Sequence, residues 1–356
     1  MLARPSASLI GALATVAPGR PLREGLDRIL QANMGALVVV GDGPEVLAIC
    51  SGGFLMDAEF TPQRLSELAK MDGAIILAPD TTRIARANVH LVPNPNVPTT
   101  ETGTRHRTAE RVARSIDVPV ISVSEELSLI AVYRNDRKHV LDPIPRLLAR
   151  ANQGLQTLER YKARLDTVSG TLSALEVEDL VTVRDVVSVL QRAEMVRRIA
   201  EELDGYIVEL GEDGRLVLLQ VEELPGGVED DRRFVIKDYL RGPADRLDRA
   251  MEQLSDFTTE DLLDLKAVAG VLHLPSESSE LDASVQPRGY RLLSKIPRLP
   301  DAVIERIVQR FGTLPKILRA TTSDLDEVEG VGGTRARAIK DGLARLAESS
   351  ILDRFS

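Results

Sequence analysis

Two short segments concentrate side chains that could do chemistry. Asp72-Gly73-Ala74 opens an apolar stretch, and Gly103-Thr104-Arg105-His106-Arg107-Thr108 stands where a Pro-rich run gives way to helical periodicity. Two Arg, one His and two hydroxyls beside the unpaired N–H groups of a helix start form a cradle for polyphosphate. Taken singly, each also fits a bland reading: Asp-Gly is a common turn before a strand, and Arg-His-Arg a common solvated helix end. The chain holds no G-x-x-x-x-G-K-[ST], Rossmann G-x-G-x-x-G or G-x-S-x-G, so ordinary NTPase, dehydrogenase and α/β-hydrolase readings fall.

A third segment lies near the C-terminus. Gly330, Gly332 and Gly333 fall within four positions, followed by Thr334, Arg335, Arg337 and Lys340. Glycines there allow a tight turn, and the helix start after them offers N–H groups to a phosphate. Ile296-Pro297-Arg298-Leu299-Pro300 stands 32 residues before Val328 to Gly332, and each precedes an amphipathic helix, which makes an internal repeat. The bland alternative is a glycine turn between two core helices.

The elements that must position these groups are readable in outline. Leu9, Ala12, Leu13 and Val16 space one helix, Leu22, Leu26, Ile29 and Leu30 a second, and Thr61-Pro62 caps a third that buries Leu65, Leu68 and Ala69. Ala36 to Val40 and Val46 to Cys50 read as a hairpin turning at Asp42-Gly43. Ala74 to Ala78, Val89 to Val92 and Val118 to Val123 read as buried strands, with a helix from about Thr108 to Ile116, and a final pair turns at Asn135-Asp136. Residues 1–140 are thus expected to form an α/β domain with a mixed sheet.

After Asp142-Pro143-Ile144-Pro145 the period becomes helical. Ala151, Leu158, Leu165 and Leu172 recur every seven residues, with Tyr161, Val168 and Leu175 as a second series, a pattern open to both a coiled-coil seam and a bundle spine. Tyr206 to Leu210 and Leu216 to Val221 read as an inserted hairpin, and Ser276 to Pro287 as a polar linker. Residues 141–287 are therefore expected to be an all-α spine, and residues 288–356 a compact helical domain.

Composition sets limits. The 356 residues suit two or three domains. Aromatics at 3%, with no Trp, argue against a base-stacking platform, so any nucleic-acid contact is expected through the backbone. The lone Cys50 supplies neither an internal disulfide nor a zinc cluster, and a reducing compartment, the cytoplasm, is expected. No apolar run approaches the roughly 18 residues of a membrane span. Net charge is −9, yet residues 291–356 carry 12 Lys and Arg against 9 Asp and Glu, so the basic excess sits in the tail.

In this order the segments resemble a known family. Asp72-Gly73-Ala74 and Gly103 to Thr108 are similar to the two signature motifs of the diadenylate cyclase domain. Gly35 to Val39, Ser51-Gly52-Gly53-Phe54, Ala87 to Pro93 and Ser124-Glu125-Glu126 support the match. With the helical spine and a terminal segment resembling a tandem helix-hairpin-helix, the whole chain resembles the DisA family of bacterial diadenylate cyclases. The first hairpin departs from the pattern, with Pro297 and Pro300 where glycines are expected.

The resemblance implies that two ATP become cyclic di-AMP and two pyrophosphates, each 3′-hydroxyl attacking the other nucleotide's α-phosphate. It implies Mg²⁺ or Mn²⁺ held by Asp72, close nucleotide approach at Gly73, and phosphates bound by Thr104, Arg105, His106, Arg107 and Thr108. It also places adenine at the backbone of Leu91 and adds Ser124 and Glu125 to the ATP site. It implies face-to-face cyclase domains in a homo-octamer, and branched DNA held without sequence preference by Gly330, Gly332, Gly333, Thr334 and Arg335, modulating the cyclase. The alternative is a DNA-repair scaffold that binds nucleotide without turning it over.

Overall fold

The computed structural model describes residues 7–242, 246–275 and 280–353. The chain divides into two compact units, Met1–Gln153 with Glu202–Gln220, and Gly154–Glu201 with Val221–Ser356.

In the first unit the elements run α1 (Ala7–Thr15), α2 (Pro21–Gln31), β1 (Ala36–Val40), α3 (Pro44–Ala48), β2 (Cys50–Ser51), β3 (Phe54–Glu59), α4 (Pro62–Leu68), β4 (Ala74–Leu77), β5 (Arg83–Leu91), α5 (Thr104–Ser115), β6 (Val120–Ser124), β7 (Leu129–Arg134) and β8 (Arg137–Val140). The sheet order is β2-β5-β4-β1-β6-β7-β8, with β3 also on β5. It is mixed: β1 runs parallel to β4 (Val38 opposite Ile75) and antiparallel to β6 (Val38 opposite Ile121). β1 is buried at every residue, as a central strand covered on both faces must be.

Alternation sorts its side chains. Ala36, Val38 and Val40 join Ile75, Ile121 and Val132 under α1, α2 and α4. Leu37 and Val39 join Ile76, Val120 and Tyr133 beneath α5, whose Ala109, Val112 and Ala113 supply the facing stripe. Each Val, Leu or Ile side chain so buried contributes roughly 1.5–3 kcal/mol.

Three expectations for this unit are corrected. Residues 36–50 are no hairpin: Pro44 at the first helical position starts α3, and only Cys50–Ser51 is strand, paired with β5. α5 begins at Thr104, not Thr108, so the Arg-His-Arg segment is the helix's own first turn. β3 was not anticipated, because its side chains are exposed except Ala58 and show no alternation.

The helices α6 (Ile144–Glu178) and α7 (Val183–Leu210) follow, then a 3₁₀ turn at Gly211–Gly214 and α8 (Arg215–Glu223). The hairpin expected at 206–221 is therefore helix. Strand-prone Tyr206-Ile207-Val208 stays helical because Leu210 is fully buried, Val208 packs on the first unit's core, and Glu209 accepts from His139 Nε2 (2.8 Å) and the Asp142 N–H (3.1 Å). Of the heptads, Ala151, Leu158, Leu165 and Leu172 are buried within the chain itself, whereas Tyr161, Val168 and Leu175 are half-buried.

In the second unit α9 (Val228–Tyr239), α10 (Leu247–Asp256), α11 (Thr259–Leu263) and α12 (Leu265–Val271) lead to α13 (Tyr290–Ser294), α14 (Asp301–Phe311), α15 (Leu314–Arg319), α16 (Thr322–Asp326) and α17 (Gly333–Asp353). Part of the expected linker, residues 276–279, lies outside the described residues; the rest is packed rather than free. Leu281 and Val285 are buried, and Val183 and Val285 N–H groups bond to the Ala283 and Val181 carbonyls at 3.0 and 2.9 Å.

A buried ion pair ties α13 to α6. The Arg291 guanidinium, fully buried, donates to Glu176 Oε2 (2.7 Å) and Oε1 (3.2 Å) and to Ser169 and Ser173 hydroxyls. Asp238 of α9 accepts the Gly289, Tyr290 and Arg291 N–H groups at 2.6, 2.6 and 2.9 Å, capping α13.

Candidate functional site

The two chemical segments of the first unit meet at one end of the sheet, where β1 and β4 begin and β6 ends. Asp72 sits in the bend before β4 with its side chain 95% exposed. Arg105, on the first turn of α5, reaches across so that Nη2 donates to Asp72 Oδ1 at 2.9 Å. The guanidinium crosses the backbone at Gly35: a Cβ there would stand 2.2 Å from Arg105 Nη1 and 3.3 Å from the Val123 carbonyl oxygen. Gly35 is thus the clearance that lets a cation from α5 arrive over the sheet's end. Ser124 and Glu125 follow directly after Val123, and Ser124 Oγ accepts the Leu127 N–H at 3.3 Å, holding the β6–β7 turn.

Gly73 makes room within the protein itself: a Cβ there would lie 2.4 Å from the carbonyl carbon of Asn88. Asn88 has φ +52 at a bulge, where pairing shifts from Ala74 opposite Val89 to Ile76 opposite Arg86. Gly53 clears the same bulge from the other side: a Cβ there would stand 2.7 Å from the Ala87 carbonyl oxygen. Leu91, the last residue of β5, buries its side chain. Its pairing with Cys50, with Val92 N–H bonding to the Ile49 oxygen at 2.8 Å, is of the non-hydrogen-bonded kind. The Leu91 N–H and C=O therefore point away from β2, toward the side where β4 has not yet begun.

α5 is held in place by the loop before it. Glu110, buried, accepts from Thr99 Oγ1 (2.5 Å), the Thr100 N–H (2.9 Å) and Thr100 Oγ1 (3.3 Å), and pairs with Arg114 at 2.9 Å. These bonds and Arg114 outweigh burial and hold its carboxyl below the usual range. Arg111 and Arg114 donate to the Val97 and Pro98 carbonyls. The loop so pinned delivers Gly103 as the N-cap of α5, with no side chain on the first N–H groups. Thr104 and Arg107 are exposed there and Thr108 is half-buried.

His106 turns the other way from Arg105, toward β7 and β8. Its Nδ1 lies 2.8 Å from the hydroxyl of Tyr133, which is 1% exposed. Burial, then Lys138 and Arg105, hold the imidazole pKa below its ordinary value against the opposing pull of Glu101. Tyr133, Glu110, Asn88 and the clearance at Gly35 were not anticipated as working parts. Nothing in the spacing ties residue 133 to residue 106.

Among the described residues no group of three or more His, Cys, Asp or Glu could cage a metal ion. A lone, outward carboxylate such as Asp72 still fits a hard cation that arrives on a triphosphate, because Mg²⁺ commonly takes one or two carboxylates and fills its other positions with phosphate and water. No described helix is long and apolar enough to cross a membrane.

The glycine segment of the second unit opens α17. Gly330 has φ +87, and a Cβ at Gly332 would meet nothing within 4 Å. Thr334, Arg335 and Arg337 are exposed, Arg335 donating to the Gly330 carbonyl, whereas Lys340 is half-buried on the Leu318 carbonyl at 2.8 Å. Arg298, 32 residues before Gly330, has φ +61, so the two turns share a left-handed residue at the equivalent place.

Residues 23–138 match the family described as DisA bacterial checkpoint controller nucleotide-binding, and residues 141–281 the DisA bacterial checkpoint controller linker region. The DNA integrity scanning protein DisA of Frankia alni is 57% identical over 345 residues, covering 96% of each chain. That of Acidothermus cellulolyticus is 57% identical over 347 residues, 96% of this chain and 94% of the other. That of Streptomyces coelicolor is 53% identical over 347 residues, 96% and 93%. Among solved structures, DacA from Staphylococcus aureus is similar at 22% identity over 37% of this chain and 84% of that one, with a TM-score of 0.28.

Proposed function

The chain belongs to the DisA family, and from that premise we propose that it condenses two ATP into cyclic di-AMP and two pyrophosphates. The observation that carries this reading is the meeting of Asp72 with Arg105: segments 33 residues apart converge at one end of the sheet, an acid for the reacting end of a nucleotide and a cation for its phosphates. Chemistry of this kind consists mostly of positioning and charge stabilisation, which a carboxylate, a helix start and guanidinium groups can supply.

When nucleotide enters, the triphosphate takes Arg105 from Asp72 and settles on the first turn of α5, where Thr104, Arg107 and Thr108 stand with His106 alongside. Asp72, so released, would hold Mg²⁺ or Mn²⁺, which when bound would offset phosphate charge and make the 3′-hydroxyl more acidic. The outward-directed backbone of Leu91 receives the adenine edge, and Ser124 and Glu125 border the site. Because the product has two equal halves, the simplest arrangement opposes two copies of this site about a two-fold axis, each presenting one ATP. We assign the chain a homo-oligomeric state, an octamer as the family resemblance implies.

The turns before α14 and α17 support a tandem helix-hairpin-helix reading of residues 288–356, within the division 1–140, 141–287 and 288–356. Gly330, Gly332, Gly333, Thr334 and Arg335 would meet DNA phosphates, so binding follows shape, weakens with salt and modulates the cyclase. Incubation of the purified protein with ATP and Mn²⁺, with and without a four-way junction, tests both ends. Cyclic di-AMP whose yield changes with the junction is the expected result. Bound but unconverted ATP would overturn the cyclase reading in favour of a non-catalytic scaffold.

A further inference from the structure

We infer that β8 is a transmission strand: through Lys138 on one face and His139 on the other it ties the last turn of α7 to the loop that delivers α5, which makes Lys138 a positioning residue for the nucleotide cradle. The effect on turnover rests on the DNA-modulated cyclase reading above; the tie rests on contacts alone. The pairing register fixes the two faces, for Tyr133 stands opposite Lys138 and Val132 opposite His139. Tyr133 belongs to the core beneath α5, and Val132 to the core under α1, α2 and α4. Neighbouring residues of one strand thus reach opposite sides of the sheet.

On the α5 side, Lys138 Nζ donates to Glu101 Oε1 at 2.6 Å and lies 5.7 Å from the centre of the Tyr133 ring. Glu101 is held at a second point: its N–H donates to Thr99 Oγ1 at 3.2 Å, and that hydroxyl donates to Glu110 of α5. A pair swinging free on the surface fixes nothing, but this carboxylate is only 16% exposed and its residue is bonded at both ends. Two residues on stands Gly103, the N-cap from which Thr104, Arg105, His106 and Arg107 start. Displacement of Lys138 therefore reaches the phosphate-binding turn through a short chain of bonds.

On the other side, the buried Glu209 carboxylate takes His139 Nε2 at 2.8 Å and the Asp142 N–H at 3.1 Å, so it clasps β8 by a side chain and the chain just beyond it by the backbone. Glu209 stands in the last turn of α7. That helix is continuous from Val183 to Leu210; its residues to Glu201 belong to the second unit and the rest to the first. β8 lies at the edge of the sheet, paired with β7 alone, and an edge strand has fewer ladder bonds than an interior one to hold it still. A change carried by α7 thus meets a strand free to follow it, and the next residue of that strand grips the α5 loop.

Hydrogen–deuterium exchange of the full-length, nucleotide-free protein reads the tie without turnover. The reporters are the Thr100 and Glu101 amides, bonded to Glu110 Oε2 and Thr99 Oγ1. Lys138→Met should speed their exchange about ten-fold, and Lys138→Arg, which restores the cation, should return it to within about two-fold. His139→Ala and Glu209→Gln, across the sheet, should speed the same amides about three-fold while β1 and β4 keep their protection. Lys138→Met combined with His139→Ala should exchange no faster than Lys138→Met alone, because both act along one path. In turnover, Lys138→Met should lower kcat for cyclic di-AMP about ten-fold with KM for ATP within about two-fold, the mark of lost orientation. His139→Ala should bind a four-way junction as before yet lose the junction's effect on yield. Loop amides that ignore both His139→Ala and Glu209→Gln, effects that multiply in the double variant, or a full junction effect in His139→Ala each overturn the inference. The expected exchange pattern in a protein that makes no cyclic di-AMP supports the tie and overturns the cyclase reading.

Discussion

Gly35→Ala separates the position of Arg105 from the stability of the fold. The new Cβ would stand 2.2 Å from Arg105 Nη1 and 3.0 Å from Cζ, so the guanidinium must retreat by about 1 Å or more to reach ordinary contact. The atoms that give most are the tip of a flexible side chain, the Val123 carbonyl oxygen at 3.3 Å has to shift by only a few tenths of an ångström, and Gly35 is not at a positive φ, so the backbone accepts alanine. The pair it disturbs is exposed on both sides, 41% at Arg105 and 95% at Asp72, and such pairs are worth about 0–1 kcal/mol. Removing a glycine also lowers unfolded-chain entropy by about 0.4–1 kcal/mol, which offsets that loss. Stability should stay within about 1 kcal/mol of the starting protein. Turnover should fall about 10²-fold, or about 2.7 kcal/mol of transition-state stabilisation, the usual cost of a 1 Å displacement at a phosphoryl-transfer site. Thermal unfolding and chromatographic measurement of cyclic di-AMP read the two arms. Full activity in Gly35→Ala would show that the place of Arg105 over the sheet's end is irrelevant to the reaction. Gly73→Ala is the contrast: its Cβ meets the Asn88 backbone at 2.4 Å, so stability itself should drop.

Asp72→Asn should abolish cyclic di-AMP synthesis while leaving the melting temperature nearly unchanged, since the side chain is almost wholly exposed; an active Asp72→Asn would refute its role. Glu110→Ala should cost about 3 kcal/mol and loosen the loop that feeds α5, measured by urea unfolding and by amide exchange over residues 97–103. Because the folded Glu110 pKa lies below its unfolded value, its contribution is complete above the unfolded pKa and fades as pH falls through the folded one. The stability difference between Glu110→Gln and the starting protein should therefore shrink in acid. Arg291→Ala, which strands Glu176, should cost about 3–5 kcal/mol, whereas the double change Arg291→Met with Glu176→Met should recover much of that; equal losses would deny the pair its place in the second unit's core.

How much of this was legible in the sequence depended on whether one residue's neighbours in the chain were also its neighbours in space. β1 declared itself because Ala36 to Val40 is apolar throughout, and α4 because Thr61 accepts the Arg64 N–H as a cap should. Asp72 and the first turn of α5 were singled out by residue type and assigned to one ATP site by the family resemblance. Their direct contact was not foreseen, since it depends on Gly35 making room, and a glycine before a strand gives no sign of what passes over it. Tyr133 was invisible for the same reason: its partner lies 27 residues away across the sheet. Strand-prone Tyr206-Ile207-Val208 misled because its fate is decided by Leu210 and Glu209, which pack and bond within the first unit. The Asp42-Gly43 turn signal hid α3, which Pro44 starts at the first helical position.

The two C-terminal turns look alike in backbone but not in charge, and this decides which should meet DNA. Arg298 and Gly330 share the left-handed conformation. The helix after Arg298 begins with Asp301 in its first turn, and a carboxylate there favours the positive helix end itself and repels phosphate. The helix after Gly330 begins Gly333-Thr334-Arg335, with no acid in its first turn and open space at Gly332. The first turn should therefore pack while the second binds. Arg335→Glu should weaken junction binding alike for unrelated sequences and flatten the salt dependence by about one unit of slope. Arg298→Glu should leave both unchanged in fluorescence anisotropy titrations. Equal losses from the two substitutions would mean that Asp301 does not keep phosphate away and that both turns grip the duplex.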